Sequence, residues 1–284
     1  MTTVAVTGGS GKLGTAVVAR LVDEGYTVIN LDLAPPKEPR SAFTRVDFSD
    51  YGQAADALAG IDDRHSGLDA LVHLAALPSG GLMADAQTFR NNMLVTYNIF
   101  QAARRAGIKN IVYASSETLL GIPFTVDPPY LPVDEEYPAR PESTYSLVKH
   151  LEETMVQQFV RWDPELKVTA LRFSNVIEES QYAAFPSFDA DITLRDWNLW
   201  SYIDRRDGAQ AVQRALEHQG TGFDVFNIAA TDTVMSRPTA ELAAERFPGV
   251  EIRGELDIHT SLISSEKAMR VLGFKPQHFW RDYA

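Results

Sequence analysis

The chain has 284 residues, of which 45% are hydrophobic and 23% are charged, and this balance is ordinary for a soluble globular protein of one large or two small domains. Its formal net charge of −12 argues against a nucleic-acid partner and against binding to an anionic membrane, because both favour a basic face. Cysteine is absent, which excludes disulfides, thiolate metal sites and cysteine nucleophiles.

No membrane span or leader is predicted. The sequence has no apolar run of the ~18 residues that a spanning helix requires. Its start enters a strand pattern at once, without a basic segment followed by an apolar stretch, so no signal peptide is expected. These features favour a cytoplasmic enzyme.

Short β-rich runs alternate with helical periodicity through the first part of the chain. The predicted strands are 4–6, 27–31, 70–74, 111–114 and 168–172. The predicted helices are 13–25, 53–59, 89–106 and a helix that begins at the N-cap Ser143 and runs to about Trp162. This strict alternation is typical of an α/β protein with a Rossmann-type, doubly wound parallel sheet.

The second part of the chain is less regular. Its predicted helices are 207–216, 239–246 and 264–272, its predicted strand is 224–228, and the proline-rich segment 122–140 is predicted to be a loop. No linker composition separates two domains. We expect residues 1–175 to form a dinucleotide-binding domain to which 203–230 return, while 176–202 and 231–284 form a small substrate-binding cap.

Three glycines at spacings of three residues follow the first predicted strand and open the first helix. In such a turn Gly8 permits the bend, Gly11 lets the backbone approach a pyrophosphate, and Gly14 lets the helix pack close to the sheet. The helix N-terminus then offers free N–H groups to the anion. The predicted cofactor-binding turn comprises Gly8, Ser10, Gly11, Lys12, Leu13 and Gly14.

An acidic residue, Asp32, ends the second predicted strand. A carboxylate at this place accepts hydrogen bonds from a ribose 2′-hydroxyl and repels a 2′-phosphate, which favours NAD over NADP. Lys37 and Arg40 are near enough in sequence to leave a phosphate partner as the alternative.

A tyrosine and a lysine, Tyr145 and Lys149, lie one helical turn apart on the same predicted face. A nearby cation favours the phenolate, so the tyrosine could take a proton from a substrate hydroxyl as hydride leaves the same carbon. Ser116 closes the fourth predicted strand at the carboxyl edge of the sheet, where its hydroxyl could orient the reacting oxygen.

These motifs, with several others in the same order, resemble the extended short-chain dehydrogenase/reductases and, among them, the NAD-dependent epimerase/dehydratase family. The matching residues are the glycine turn, Asp32, Asp47, Phe48, His73, Leu74, Ala75, Ala76, Asn92, Ser116, Tyr145, Lys149, Arg172, Phe173, Asn175 and Val176. The resemblance, which covers nearly the whole chain, implies that NAD is the cofactor. It further implies a catalytic set consisting of Ser116, Tyr145, Lys149 and Asn92.

The same resemblance implies the cofactor contacts. Asp47 and Phe48 would contact the adenine. Leu74, Ala75 and Ala76 would line the cofactor. Phe173, Asn175 and Val176 would approach the nicotinamide, and Asn92, Tyr145 and Lys149 would border its ribose.

Departures from the family pattern bear on the substrate. Members that use nucleotide sugars usually carry an arginine for the diphosphate shortly before the strand that resembles Tyr202 to Asp207, and here Trp200 and Ser201 stand at that place. The chain therefore looks closer to small-substrate members such as uronate dehydrogenase. The predicted substrate contacts are Ser116, Glu117, Tyr145, Asn175 and Trp200.

The predicted function is NAD-dependent oxidation or reduction at a hydroxyl of a small sugar, sugar acid or polyol-like substrate. One alternative is a nucleotide-sugar epimerase or dehydratase with tightly bound NAD. Another is a dinucleotide-sensing protein without turnover, against which the complete Ser–Tyr–Lys set argues. The six histidines show no metal-ligand spacing, so no metal site is predicted.

The predicted assembly is a homodimer. The second of two long helices carries more apolar residues than one sheet-facing stripe needs, namely Leu147, Leu151, Met155, Val156, Phe159 and Val160. In the resembling family the helices that correspond to 89–106 and 143–162 pair with their copies about a two-fold axis. The alternative is that the extra residues pack under the loop 122–140.

Overall fold

A computed structural model describes residues 2–283. Seven parallel strands form its central sheet: Thr3–Thr7, Thr27–Asp32, Ala42–Arg45, Ala70–His73, Asn110–Ser116, Lys167–Phe173 and Gly222–Ile228. Counted along the chain, they lie in the order seventh, sixth, fifth, fourth, first, second, third. The direction of winding thus reverses between the first and fourth strands, and a cleft opens at the carboxyl ends there. The predicted Rossmann-type parallel sheet is confirmed.

Helices cover both faces of this sheet. They are Lys12–Asp23, Tyr51–Ala59, Asp85–Ala106, Thr144–Trp162, Arg205–Glu217 and Glu266–Leu272, whereas a further helix, Thr239–Arg246, packs into the core of the cap. On one face, Lys12–Asp23 and Arg205–Glu217 pack together in a buried cluster that includes Val17 and Val212. On the other face, Tyr51–Ala59, Asp85–Ala106 and Thr144–Trp162 share a second buried cluster. Burial on both faces explains why the strands read as apolar runs.

The start of the helix Thr144–Trp162 is fixed by a capping box. The hydroxyl of Ser143 accepts a hydrogen bond from the Ser146 amide at 3.1 Å, and the hydroxyl of Ser146 accepts one from the Ser143 amide at 2.8 Å. These two bonds satisfy backbone donors that a helix start leaves without partners. The N-cap predicted at Ser143 is confirmed, and the cap places Tyr145 in the first turn.

The cap is built from irregular segments. Its 3-10 helices are Glu179–Ala190, Ile192–Leu194, Asp196–Asn198 and Trp280–Tyr283, and short parallel pairings join Tyr130–Leu131 to Glu251–Ile252 and Val176–Ile177 to Ile203–Asp204. Its core also takes in buried residues of the proline-rich segment, among them Phe124 and Leu131. This segment packs into the cap, whereas the division expected from the sequence left it with residues 1–175.

Within the described residues, no helix combines the length and the apolar character that crossing a membrane would require.

Candidate active site

A cleft of about 1850 Å³ lies along the carboxyl ends of the strands, between the sheet and the cap. It brings together most of the predicted site residues. Those that line it are Gly8, Ser10, Gly11, Lys12, Leu13, Gly14, Asp32, Asp47, Phe48, Leu74, Ala75, Ala76, Ser116, Glu117, Tyr145, Lys149, Phe173, Asn175 and Val176. Asn92 and Trp200, which were predicted to join them, do not.

The glycine turn is a tight cradle that side chains would fill. Gly8 has a φ of +70°, and a Cβ there would lie 2.7 Å from the Ala75 backbone nitrogen. A Cβ on Gly14 would lie 2.1 Å from the Gly8 carbonyl oxygen. Gly11, at the N-cap of Lys12–Asp23, has no side chain to cap the helix, so the first amides stay available to an anion. The cradle fits the pyrophosphate of a dinucleotide.

Asp32 lies at the mouth of this cradle. One of its carboxylate oxygens accepts a hydrogen bond from the Ser10 amide at 3.0 Å, and the other accepts one from the Leu33 amide at 2.6 Å. The carboxylate therefore joins the glycine turn to the end of the second strand. Arg40, which could otherwise receive a 2′-phosphate, forms an ion pair with Asp23 at 2.5 Å.

Tyr145, Lys149 and Ser116 meet in the cleft. Lys149 Nζ lies 5.9 Å from the centre of the Tyr145 ring and donates hydrogen bonds to the Ala114 carbonyl and to Glu152, both at 2.9 Å. The hydroxyl of Ser116 accepts a hydrogen bond from the Thr118 amide at 3.2 Å. The fifth strand and the helix Thr144–Trp162 hold these three groups beside the glycine cradle.

The pKa of Tyr145 does not fall in the protein alone. Burial raises it above the ordinary value, and the positive charge of Lys149 and a hydrogen bond from Ser116 only partly offset this rise. The negative charges of Glu152 and Glu117 add to it. The expectation that the lysine favours the phenolate thus gives the correct sign for that one contribution, but it neglected the cost of burying the charge.

Glu117 places a buried carboxyl group next to Ser116. It accepts hydrogen bonds from the Ser174 hydroxyl at 2.5 Å and from the Asn198 amide at 3.2 Å. Burial raises the pKa of Glu117 to about 7 in spite of these bonds. Its charge therefore changes near neutral pH, at the end of the cleft where a substrate would meet Tyr145.

Asn92 lies behind the wall of the cleft and does not line it. Its fully buried side-chain amide binds the backbone of Leu77, accepting from the amide at 2.9 Å and donating to the carbonyl at 3.0 Å. The residues that follow, from Pro78 to Gly80, line the cleft. In this structure Asn92 holds that segment in place and makes no direct contribution to the cleft wall.

The prediction that Trp200 contacts the substrate is wrong. Its side chain is fully buried in the cap core, where the indole N–H donates to the Ile192 carbonyl at 2.9 Å. Leu199 and Trp200 both have positive φ angles, which are uncommon for residues other than glycine. Trp197 lines the cleft instead, beside the guanidinium of Arg195, which lies 5.3 Å from its ring.

A buried polar chain behind Lys149 was not foreseen from the sequence. His73 Nδ1 lies 2.8 Å from the Thr7 hydroxyl, and Nε2 lies 3.3 Å from the Thr96 hydroxyl. The Thr96 hydroxyl donates to Glu152 at 2.8 Å, so His73 donates through Nε2 and accepts from Thr7 through Nδ1. Burial, with the nearby charge of Lys149, lowers the pKa of His73 to about 3, and the ring is neutral. Of these residues, only His73 was indicated by the sequence, through the family resemblance.

Among residues 2–283, no group of three or more histidine, aspartate or glutamate side chains could hold a metal ion.

Comparison with known proteins places this site in a family. Residues 4–229 match the model of the NAD dependent epimerase/dehydratase family. A UDP-glucose 4-epimerase of Lactobacillus helveticus is 27% identical over 97% of this chain and 92% of its own length.

Two solved structures share the fold. One is a short-chain dehydrogenase/reductase superfamily protein of Agrobacterium tumefaciens with bound NAD, with 24% identity, a TM-score of 0.75, and coverage of 98% of this chain and 94% of that one. The other is a mutated uronate dehydrogenase, with 19% identity, a TM-score of 0.68, and coverage of 99% and 84%. At these identities the likeness concerns the fold alone.

Proposed function

The chain belongs to the NAD-dependent epimerase/dehydratase family, and from this premise we propose that it oxidises a hydroxyl-bearing carbon of a small sugar, sugar acid or polyol-like substrate, or reduces the corresponding carbonyl. The observation that carries the proposal is the meeting of Ser116, Tyr145 and Lys149 with the glycine cradle in one cleft. A protein that only senses a dinucleotide has no need of this catalytic set.

The residues of the chain have separate tasks in this chemistry. The Ser116 hydroxyl donates a hydrogen bond to the substrate oxygen, and the Tyr145 phenolate takes the proton from that oxygen. Lys149 stabilises the phenolate and holds the ribose hydroxyls of the cofactor. NAD, when bound, supplies the hydride acceptor. Glu117 receives a neighbouring substrate hydroxyl, and Trp197 offers an aromatic face to the C–H side of a sugar ring.

Two ion-paired arginines in the cleft wall favour a small substrate. Arg205 is paired with Glu178 at 2.9 Å, and Arg206 is paired with Asp204 at 2.8 Å. A nucleotide diphosphate needs cations that are free to bind it. Because these two arginines of the cleft wall are already paired with carboxylates, neither is a free cation for a diphosphate, and this favours a substrate without one.

A second candidate is the interconversion of nucleotide sugars. It is favoured by the relatives, since proteins named UDP-glucose 4-epimerase align over most of this chain. The same Ser–Tyr–Lys set could carry out a reversible oxidation in which the hydride returns to the substrate. However, the Lactobacillus helveticus alignment spans 319 positions whereas this chain has 284 residues, so the relative carries insertions that this chain lacks.

One assay separates the two candidates. The protein is mixed with NAD and a panel of free sugars, sugar acids and polyols, and NADH is followed by its absorbance. UDP-glucose and UDP-galactose are incubated in parallel and analysed by chromatography. We expect continuous NADH formation with a free sugar or sugar acid. Conversion of the nucleotide sugars without NADH release would support the epimerase, and silence in both arms would contradict the proposal.

We expect the protein to prefer NAD to NADP by at least about tenfold in dissociation constant, because the Asp32 carboxylate would face a 2′-phosphate. Fluorescence titration with both cofactors measures this. Asp32→Asn, which removes the charge and keeps the shape, should narrow the preference. Equal constants for the two cofactors, or tighter binding of NADP, would contradict the assignment and direct attention to Lys37 or Arg40.

We also propose that the protein is a homodimer. The helices Asp85–Ala106 and Thr144–Trp162 pack side by side and expose apolar side chains, namely Phe89, Leu94, Tyr97, Leu147 and Trp162. Of the apolar residues noted in the second helix, Val156 and Phe159 belong to the core instead. The exposed residues that remain on both helices favour a shared two-fold interface.

Light scattering at micromolar concentration tests the dimer, with twice the chain mass of 31.4 kDa as the expected result. Leu147→Glu should shift the mass toward the monomer, because it would bury a charge in the interface. Leu194→Glu is the matched control, since Leu194 is 53% exposed but lies in the cap. A mass near 31.4 kDa for the unaltered protein would mean a monomer.

A further inference from the structure

The lysine of the catalytic set is not a free cation. Its side chain is only 4% exposed, and its ammonium group lies 2.9 Å from a carboxylate oxygen of Glu152, whose side chain is fully buried. The other carboxylate oxygen accepts a hydrogen bond from the Thr96 hydroxyl at 2.8 Å. Glu152 is therefore fixed at both oxygens, and its carboxylate lies directly behind Lys149.

The surroundings of this pair contain few other charges. From the same helix, Tyr145 and Glu153 face Lys149, and Glu153 is itself paired with Arg172 of the sixth strand at 2.8 Å. From the fourth strand, the neutral ring of His73 approaches. From the segment after the fifth strand, the carboxyl group of Glu117 faces Tyr145. Glu152 is thus the carboxylate that directly neutralises Lys149.

Neutralisation has consequences for both partners of Lys149. Burial alone would lower the pKa of Lys149, but the charges of Glu152 and Tyr145 outweigh this and raise it. At Tyr145 the same carboxylate works against catalysis, because its charge raises the pKa of the phenol and so opposes phenolate formation. The carboxylate raises the pKa of the lysine while it weakens the positive field that the lysine projects into the cleft.

We propose that Glu152 is a positioning residue that offsets the charge of Lys149, and that it thereby favours the positively charged ring of NAD over the neutral ring of NADH and sets the pH range in which Tyr145 accepts a proton. This inference rests on the proposed function, since it requires the nicotinamide to bind beside Tyr145. It assigns a role to a residue that does not line the cleft.

The test compares Glu152→Gln with Thr96→Val in the full-length protein. Titration with NAD and NADH at one pH gives the ratio of their dissociation constants. In Glu152→Gln the ratio of the NAD constant to the NADH constant should rise about tenfold, because an unopposed ammonium repels the oxidised ring. Thr96→Val removes a hydrogen bond to the same carboxylate but leaves its charge, so its ratio should stay within about twofold of the unaltered protein.

The pH profile is the second readout. Removing the negative charge stabilises the phenolate, so the pKa of Tyr145 falls and the acid limb of turnover should move to lower pH by about one unit in Glu152→Gln. Glu152→Asp, which keeps the charge, should show the same ratio of the NAD and NADH dissociation constants and the same acid limb of turnover as the unaltered protein. If Glu152 had a purely structural role, Glu152→Gln would change the stability of the protein but would change neither the ratio of binding constants nor the acid limb of turnover.

Each possible result either supports or contradicts the proposed role of Glu152. If no sugar is turned over, the proposed function fails, but the ratio of the two binding constants still tests Glu152. If Glu152→Gln does not fold, Glu152→Met removes the charge with an apolar side chain of similar length. An unchanged ratio in the folded neutral variant would overturn the proposal. Failure of both neutral variants to fold would also count against it, because a structural role would then explain the pair.

Discussion

Tyr145→Phe is expected to lower turnover about a thousandfold and to change the NAD dissociation constant by less than about threefold. The substitution removes the hydroxyl that accepts the substrate proton and leaves the ring that lies near Lys149. The glycine cradle and Asp32, which would hold the other half of the cofactor, are untouched. Steady-state NADH formation and a separate NAD titration measure the two quantities.

The loss should concern the chemical step and not the fold. Tyr145 is 8% exposed, and phenylalanine fills the same space, so thermal unfolding should shift by no more than a few degrees. Tyr26→Phe is the matched control, because the Tyr26 hydroxyl bonds Glu217 away from the cleft. Tyr26→Phe should keep full turnover. Near-normal turnover in Tyr145→Phe would remove this tyrosine from the mechanism.

The parts of the fold that were predictable are those in which local pattern and tertiary burial agree. The strands of the sheet centre are buried on both faces, so their residues are apolar almost without interruption. The edge strand Ala42–Arg45 was missed, since it is only four residues long and mostly half-buried. The cap was predicted only in outline, because its 3-10 turns have no period that a sequence reveals.

The residues of the site likewise divide into those that were predictable from the sequence and those that were not. Residues whose role depends on backbone position, such as the glycines of the turn or Ser116 at a strand end, were predictable because strand ends converge at one edge. Trp200 was misplaced because nothing in the neighbouring sequence indicates that its side chain packs into the cap core, and the two consecutive residues with positive φ at this place are not glycines that would mark a turn. The Glu152–Thr96–His73 chain joins three distant segments, so only the packed structure brings it together.

Two glycines of the same turn should have different effects on stability and NAD binding when each is replaced by alanine. In Gly14→Ala the new Cβ would lie 2.1 Å from the Gly8 carbonyl oxygen and 2.7 Å from the Gly9 Cα, and these are backbone atoms that cannot rotate away. The first helix must then move off the sheet. We expect a loss of roughly 3 kcal/mol in the free energy of unfolding, with loss of NAD binding as a consequence.

Gly11→Ala is the matched variant, because its Cβ would lie 3.3 Å from the same Gly8 oxygen and its φ of −75° suits any residue. The protein should keep its stability to within about 1 kcal/mol, since a neighbour need give way by only a few tenths of an ångström. The methyl group would nevertheless stand where the backbone approaches the pyrophosphate, so NAD affinity should fall at least about tenfold. Urea unfolding and NAD titration measure both quantities for both variants. Unimpaired NAD binding by Gly11→Ala would show that the pyrophosphate does not lie against this turn, whereas unimpaired stability of Gly14→Ala would show that the helix can shift without cost.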